Sequence, residues 1–174
     1  DGTQAVGVLD IPLDRIDVLA VSAYKWLHCP RGIAFMVVPE GRGRALDPAL
    51  ASWKAAPEPW GDPYGPPRTL TDDARRFDLS LPWLLAPATL ASLTRLAEIG
   101  VERIGEHCRG LASACAEALD LSPTGTSILS VPGADGDRVR AAGLRCSVRN
   151  GQVRFAFGVY NDLEDVEAAV AGVR

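Results

Sequence analysis

The sequence predicts an α/β chain that passes, beyond its middle, into a compact α+β domain. Three observations carry this expectation. Two strand-sized apolar runs lie close together at residues 17–22 and 32–38. A long stretch at 87–121 returns its apolar side chains about every 3.6 residues, the helical period. Behind it come short strand-like runs, two of them joined by Asn150-Gly151.

The first run, Asp17-Val18-Leu19-Ala20-Val21-Ser22, is rich in β-branched residues and suits a strand buried on both faces. The second, Gly32-Ile33-Ala34-Phe35-Met36-Val37-Val38, is closed by Pro39 and the Gly41-Arg42-Gly43 turn. Together they read as a piece of a mostly parallel sheet. The nine residues between them, 23–31, form a loop from one strand end to the next. Residues 57–67 then carry Pro57, Pro59, Pro63, Pro66 and Pro67 with Trp60 and Tyr64, a density that no helix or central strand accepts. The aromatics predict an ordered loop packed on something. The boundary between the two parts falls within 50–85.

In the long helical stretch Leu90, Leu93, Leu96, Ala97, Val101, Ile104, Cys108, Leu111, Cys115 and Leu119 keep one face apolar, and Gly100 breaks it into two helices. A strand at 127–131, a short helix at 137–142 and strands at 144–148 and 152–157 follow. The last helix fits 163–173, capped by Asn161 or Asp162 with acids in its first turn.

With 174 residues, 47% hydrophobic and 23% charged, the chain is of globular type. Its net charge of −4 speaks against a nucleic-acid partner held on a basic face. No apolar run reaches the roughly 18 residues of a membrane span, and mean hydropathy is only +0.06. Cys29, Cys108, Cys115 and Cys146 form no C-x-x-C pair, so zinc spacing and a dense disulfide framework are not expected, nor is any metal site. A reducing cytoplasm is the expected compartment. The chain opens at Asp1 and its single methionine is Met36, which predicts the tail of a longer protein.

The sharpest chemical signal is lysine. The chain holds 16 arginines but only Lys25 and Lys54. A protein that uses Arg for its general cationic surface, yet keeps Lys between Tyr24 and Trp26 at a strand end, invites chemistry Arg cannot perform. An amine can lose its proton near neutral pH and form an imine. A surface lysine at a strand edge is the plain alternative.

The run Asp1-Gly2-Thr3-Gln4-Ala5-Val6-Gly7, then Asp17, Ser22-Ala23-Tyr24-Lys25-Trp26 and Pro30-Arg31-Gly32, resembles the pyridoxal-phosphate segment of class V aminotransferases. That family includes cysteine desulfurases, isopenicillin-epimerase-like enzymes and related C–S lyases. Far downstream, Val153-Arg154-Phe155-Ala156-Phe157-Gly158-Val159-Tyr160-Asn161 resembles the family's C-terminal signature. The resemblance implies the C-terminal half of a fold-type-I enzyme. Residues 1–50 would be the end of the cofactor-binding large domain, 51–85 an active-site loop and connection, and 86–174 the small α+β domain.

The resemblance also implies roles. Lys25 matches the Schiff-base lysine. Asp1 matches the acid paired with the pyridinium nitrogen, which keeps the ring an electron sink. Gln4 matches the partner of the ring's phenolic oxygen, and Ser22 a phosphate ligand. Arg154 matches the arginine that receives a substrate carboxylate with two parallel donors. Tyr24 stands where many members have a phosphate-binding His. After Phe77-Asp78 the chain reads Leu79-Ser80-Leu81-Pro82 where the family often has Gly-Thr, so Ser80 is the substitute for a Thr that reaches the partner subunit's phosphate.

An amino-acid substrate, a homodimer and a half-enzyme that is inactive alone are further implications. Transamination, epimerisation and elimination stay open as the reaction. So do two rivals: a desulfurase or C–S lyase, and a non-catalytic member of the fold serving as an interaction protein. Cys146 reads as a strand residue in a short hairpin, which disfavours persulfide chemistry. His107 beside Cys108 reads as structural, because adjacent helical residues point apart. His28 reads as a polar loop contact.

Overall fold

A computed structural model describes residues 1–61, 63–65, 67 and 69–174. Pro66 of the proline-rich stretch lies outside the described residues, as do Asp62 and Arg68. The chain forms two compact units, Asp1–Val6 with Ile11–Leu96 and Gly7–Asp10 with Ala97–Arg174.

The first unit holds strands β1 (Leu19–Ser22) and β2 (Ala34–Val37), with register Leu19↔Val37 to Ser22↔Ala34. The pair is antiparallel, so these two strands do not supply the parallel part of the expected sheet; such sheets commonly carry an antiparallel edge strand. Each strand is shorter than its apolar run. Gly32, at φ +103°, sets the approach to β2, and Pro39 follows its end. Burial corrects the expectation of strands covered on both faces. Along β1, Leu19 and Val21 are buried while Ala20 is exposed. All four residues of β2 are exposed, Phe35, Met36 and Val37 at 39–41%.

Between β2 and the next helix the described chain runs through turns and short 3-10 segments, including Trp53–Ala55, Ala74–Phe77 and Trp83–Leu85. A cavity of about 1100 Å³ opens there, lined among others by Val38, Arg44, Thr71 and Arg75. Helix α1 (Ala86–Ile99) follows. Its Leu93, with Leu27 and Leu85, packs on a small core of Ala23, Cys29 and Ile33.

In the second unit, Gly100 at φ +92° opens helix α2 (Val101–Ala118), and so stands at the expected helix break. Strands β3 (Ile128–Val131), β4 (Ser147–Arg149) and β5 (Gln152–Ala156) form an antiparallel sheet in the order β3-β5-β4. Helix α3 (Gly136–Ala141) starts from the Asp135 cap, and α4 (Leu163–Val173) from Asp162, whose capping box with Asp165 is complete. Asn150 and Gly151, both at positive φ, turn β4 into β5.

Strand β4 begins three residues later than its apolar run because the chain is still leaving α3. The amides of Gly143 and Leu144 bond back to Arg140 and Val139, a helix C-terminal cap with glycine at φ +83°. Side chains of α2, β3, α3, β5 and α4 share one core, which includes Leu111, Cys115, Leu129, Val139, Val153 and Val166. At Gly105 of α2 the backbone of Val8 comes so close that a Cβ would collide with its carbonyl oxygen.

Candidate active site

Strand β1 ends at Ser22, and the chain enters a closed turn that carries Lys25. The base of the turn is tied by Ala23 N–H donating to Ile33 O (3.0 Å) and Cys29 N–H donating to Ala23 O (3.0 Å). Its tip is tied by His28 N–H donating to Lys25 O (2.9 Å). Closing it this tightly puts His28 at φ +51°, a left-handed conformation that costs a side chain about 1 kcal/mol. Helix α1 braces the turn from outside, where Ser92 Oγ donates to Leu27 O (2.9 Å). Lys25 therefore stands half-buried on a rigid support.

Residues 1–6 lie against the same support. Gly2 N–H donates to Ala20 O (2.8 Å), so the segment runs along β1. Glycine eases this approach: a Cβ would sit 2.6 Å from Leu19 Cδ1 and 3.0 Å from Val6 Cγ2, and those side chains would have to shift. Thr3 is buried, and its hydroxyl accepts from Ser22 N–H (2.9 Å). The indole N–H of Trp26 donates to Gln4 O (3.1 Å). Asp1 Oδ1 accepts from Thr3 N–H (2.8 Å), which fixes its carboxylate by one oxygen.

Asp1, Gln4, Ser22 and Lys25 are thus carried by one hydrogen-bonded assembly. Tyr24 joins them, with the Arg31 guanidinium 4.2 Å from its ring centre and Lys25 Nζ 6.0 Å away. Ser80 is exposed, and no hydrogen bond among the described residues ties it to the assembly. Its stretch approaches nearby at Gly32, where a Cβ would meet Leu85 and Pro82 side chains at 3.4 and 3.8 Å.

Arg154 belongs to the second unit. It stands mid-strand on β5, opposite Ser130 of β3 and Ser147 of β4. Its neighbours Val153 and Phe155 face the core, so Arg154 projects from the other face of the sheet. Elsewhere in that unit, His107 Nε2 lies 2.9 Å from Asn161 O while Cys108 is fully buried, and the two form no pair. Burial raises the pKa of Cys108 and Cys115. Cys146 precedes β4, half-buried, with Sγ 3.8 Å from Gly136 O.

The second lysine is used differently. Lys54 Nζ lies 4.1 Å from the ring centre of Trp53, 5.1 Å from Trp60 and 5.0 Å from Trp83. It pins the proline-rich segment by cation–π contacts. Trp60 and Tyr64 are nonetheless 72% and 89% exposed, and the ring of Trp60 packs on Trp53 with centres 4.7 Å apart.

Sequence reasoning missed Thr3 and Trp26. Both lie inside the motif runs, but their bonds reach 19 and 22 residues away, one of them to a backbone carbonyl, and such partners leave no mark in a pattern of residue types.

No protein-family model matches the chain. It is 36% identical over 123 residues to isopenicillin N epimerase of Streptomyces clavuligerus, covering 64% of this chain and 29% of that protein. It is 26% identical over 189 aligned positions to the uncharacterized aminotransferase YcbU of Bacillus subtilis, covering 98% and 49%. The fold matches an apo cysteine desulfurase from Thermococcus onnurineus with a TM-score of 0.76 at 24% identity, over 97% of this chain and 49% of that one. It also matches the cystine C–S lyase C-DES, solved with its product cysteine persulfide, with a TM-score of 0.81 at 17% identity over 99% and 50%. The chain therefore spans half or less of the length of these proteins. In sequence the chain is similar to half or less of class V aminotransferase-like proteins, and its fold is that of half a fold-type-I pyridoxal-phosphate enzyme.

Proposed function

We propose that the protein containing this chain is a pyridoxal-phosphate-dependent enzyme acting on an amino acid, with Lys25 as the covalent anchor of the cofactor. One observation carries the reading: an amine, a carboxylate, an amide and two hydroxyl-bearing side chains, from Lys25, Asp1, Gln4, Ser22 and Tyr24, are gathered on one braced turn and the segment bonded to it.

The donor set fits the group. A pyridine nitrogen calls for a carboxylate, a phenolic oxygen for an amide donor, a phosphate for hydroxyl donors with a cation near, and an aldehyde for an amine. Asp1, Gln4, Ser22 with Tyr24, and Lys25 answer these in turn, with Arg31 supplying positive charge beside Tyr24. When bound, the cofactor would supply an electron sink for bonds breaking at the substrate's α-carbon.

The chain's own part is positioning and proton handling. With one oxygen bound to Thr3 N–H, the Asp1 carboxylate is held in one orientation and keeps its charge available to a cationic ring nitrogen. Lys25 Nζ, once released from covalent duty, is a base and acid held at a fixed place by the turn. Arg154, mid-strand on a rigid sheet, offers the planar fork that orients an amino acid's carboxylate. In the scattered thiols a desulfurase reading finds weak support: Cys29, Cys108 and Cys115 are buried, and Cys146 is half-buried just ahead of the short strand β4.

The full-length protein, purified with added cofactor, should show a visible imine band. Borohydride reduction and peptide mapping should then place the adduct on Lys25. An adduct on Lys54 alone, or no band, would overturn the reading.

A further inference from the structure

Trp26 sits beside Lys25 but serves a different part of the molecule. The residue is 8% exposed, and its indole N–H reaches back 22 residues to the carbonyl oxygen of Gln4 at 3.1 Å. We infer that Trp26 is a positioning residue: it sets the segment bearing Asp1 and Gln4 in register with the turn bearing Lys25. The inference rests on the reading of Lys25 above.

The argument is one of leverage. Hydrogen bonds from Gly2 to Ala20, Thr3 to Ser22, and Gln4 to Trp26 join residues 1–6 to the rest of the assembly. The first two end on β1 and fix the segment to the strand. The third ends on the lysine turn itself. It also acts at the residue whose side chain would meet the cofactor. A buried indole has a polar N–H that must be satisfied, so the bond is specific in direction as well as in energy. A Phe keeps a smaller aromatic ring in the slot and leaves the Gln4 carbonyl without this donor.

In the full-length holoprotein, Trp26→Phe should bind pyridoxal phosphate about fivefold more weakly, the worth of one ordinary hydrogen bond. The midpoint pH of the visible cofactor band should move by about half a unit, with the adduct still on Lys25. The melting temperature of the cofactor-free protein serves as the control for folding. Wild-type affinity together with a wild-type midpoint would overturn the inference.

A second measurement is made on the wild-type protein. In the ¹⁵N-tryptophan-labelled apoprotein, with the Trp26 signal identified as the one that Trp26→Phe removes, the Trp26 indole N–H should exchange slowly with solvent. Free exchange would remove the bond on which the inference stands. A wild-type protein with no adduct on Lys25 would instead defeat the parent reading, and the exchange result would stand apart from it.

Discussion

In the second unit, side chains from α2, β3, α3, β5 and α4 meet in one core, and the α2 residues Cys108 and Cys115 have no exposed surface at all. In the first unit the lysine turn rests on Ala23, Cys29 and Ile33, while every residue of β2 is exposed. The first unit compensates with hydrogen bonds. Its turn and first segment are held by Ala23, Cys29, Gly2, Thr3 and Trp26 through backbone and side-chain polar contacts. The difference teaches where each kind of order is useful. Apolar burial makes a body stable without fixing any one atom. Directional bonds hold a few polar groups in set positions, as a reactive site requires.

The widest separation between the two should come from truncating a side chain in each. Leu129→Ala in the full-length protein should cost about 2–5 kcal/mol in urea unfolding, because Leu129 is 1% exposed at the centre of its core. Met36→Ser on β2 should cost under about 0.5 kcal/mol if the strand is as open in the whole protein as it is here. A loss at Met36 as large as at Leu129 would mean that β2 is covered there, and the comparison would hold for this chain alone.

The second unit is also where the sequence was most legible. Helix α4 was read to its residue limits because Asp162 and the acids behind it mark a cap, and the hairpin was read from Asn150-Gly151. Both are local chemistry. The burial of β2 was misread because an apolar run states a preference for cover without saying whether cover exists. The Lys25 turn was located by lysine scarcity and by resemblance. Its internal ties were not, since they depend on Thr3 and Trp26 meeting distant backbone groups.

A smaller effect sharpens the contrast at a helix end. Asp162→Ala removes the cap that accepts from the amides of Glu164 and Asp165, and should cost about 1 kcal/mol in the same assay. A change below the error of the measurement would show that α4 is held by its packing face alone.

The smallest effect concerns pH. The Asn161 amide and the Asp162 backbone N–H both donate to the Asp165 carboxylate and hold its pKa below the ordinary value. A folded-state pKa lowered in this way adds stability above the unfolded value, and the gain disappears as pH falls through the folded one. The melting temperature of Asp165→Asn should therefore lie slightly below wild type at neutral pH. The gap should close toward the acid end of the carboxylate range. A gap that widens on acidification would contradict the assignment.

Gly105 has a consequence for how such a protein can be recombined. Residues 7–10 belong with 97–174, although the chain on either side of them belongs to the other unit. Helix α2 accepts the Val8 backbone only because position 105 has no side chain. A single crossover near residue 96 would hand α2 a foreign strand of backbone to fit against. Exchange between relatives must carry the short early loop and the long late segment as one inheritance, or bring a matching glycine with it.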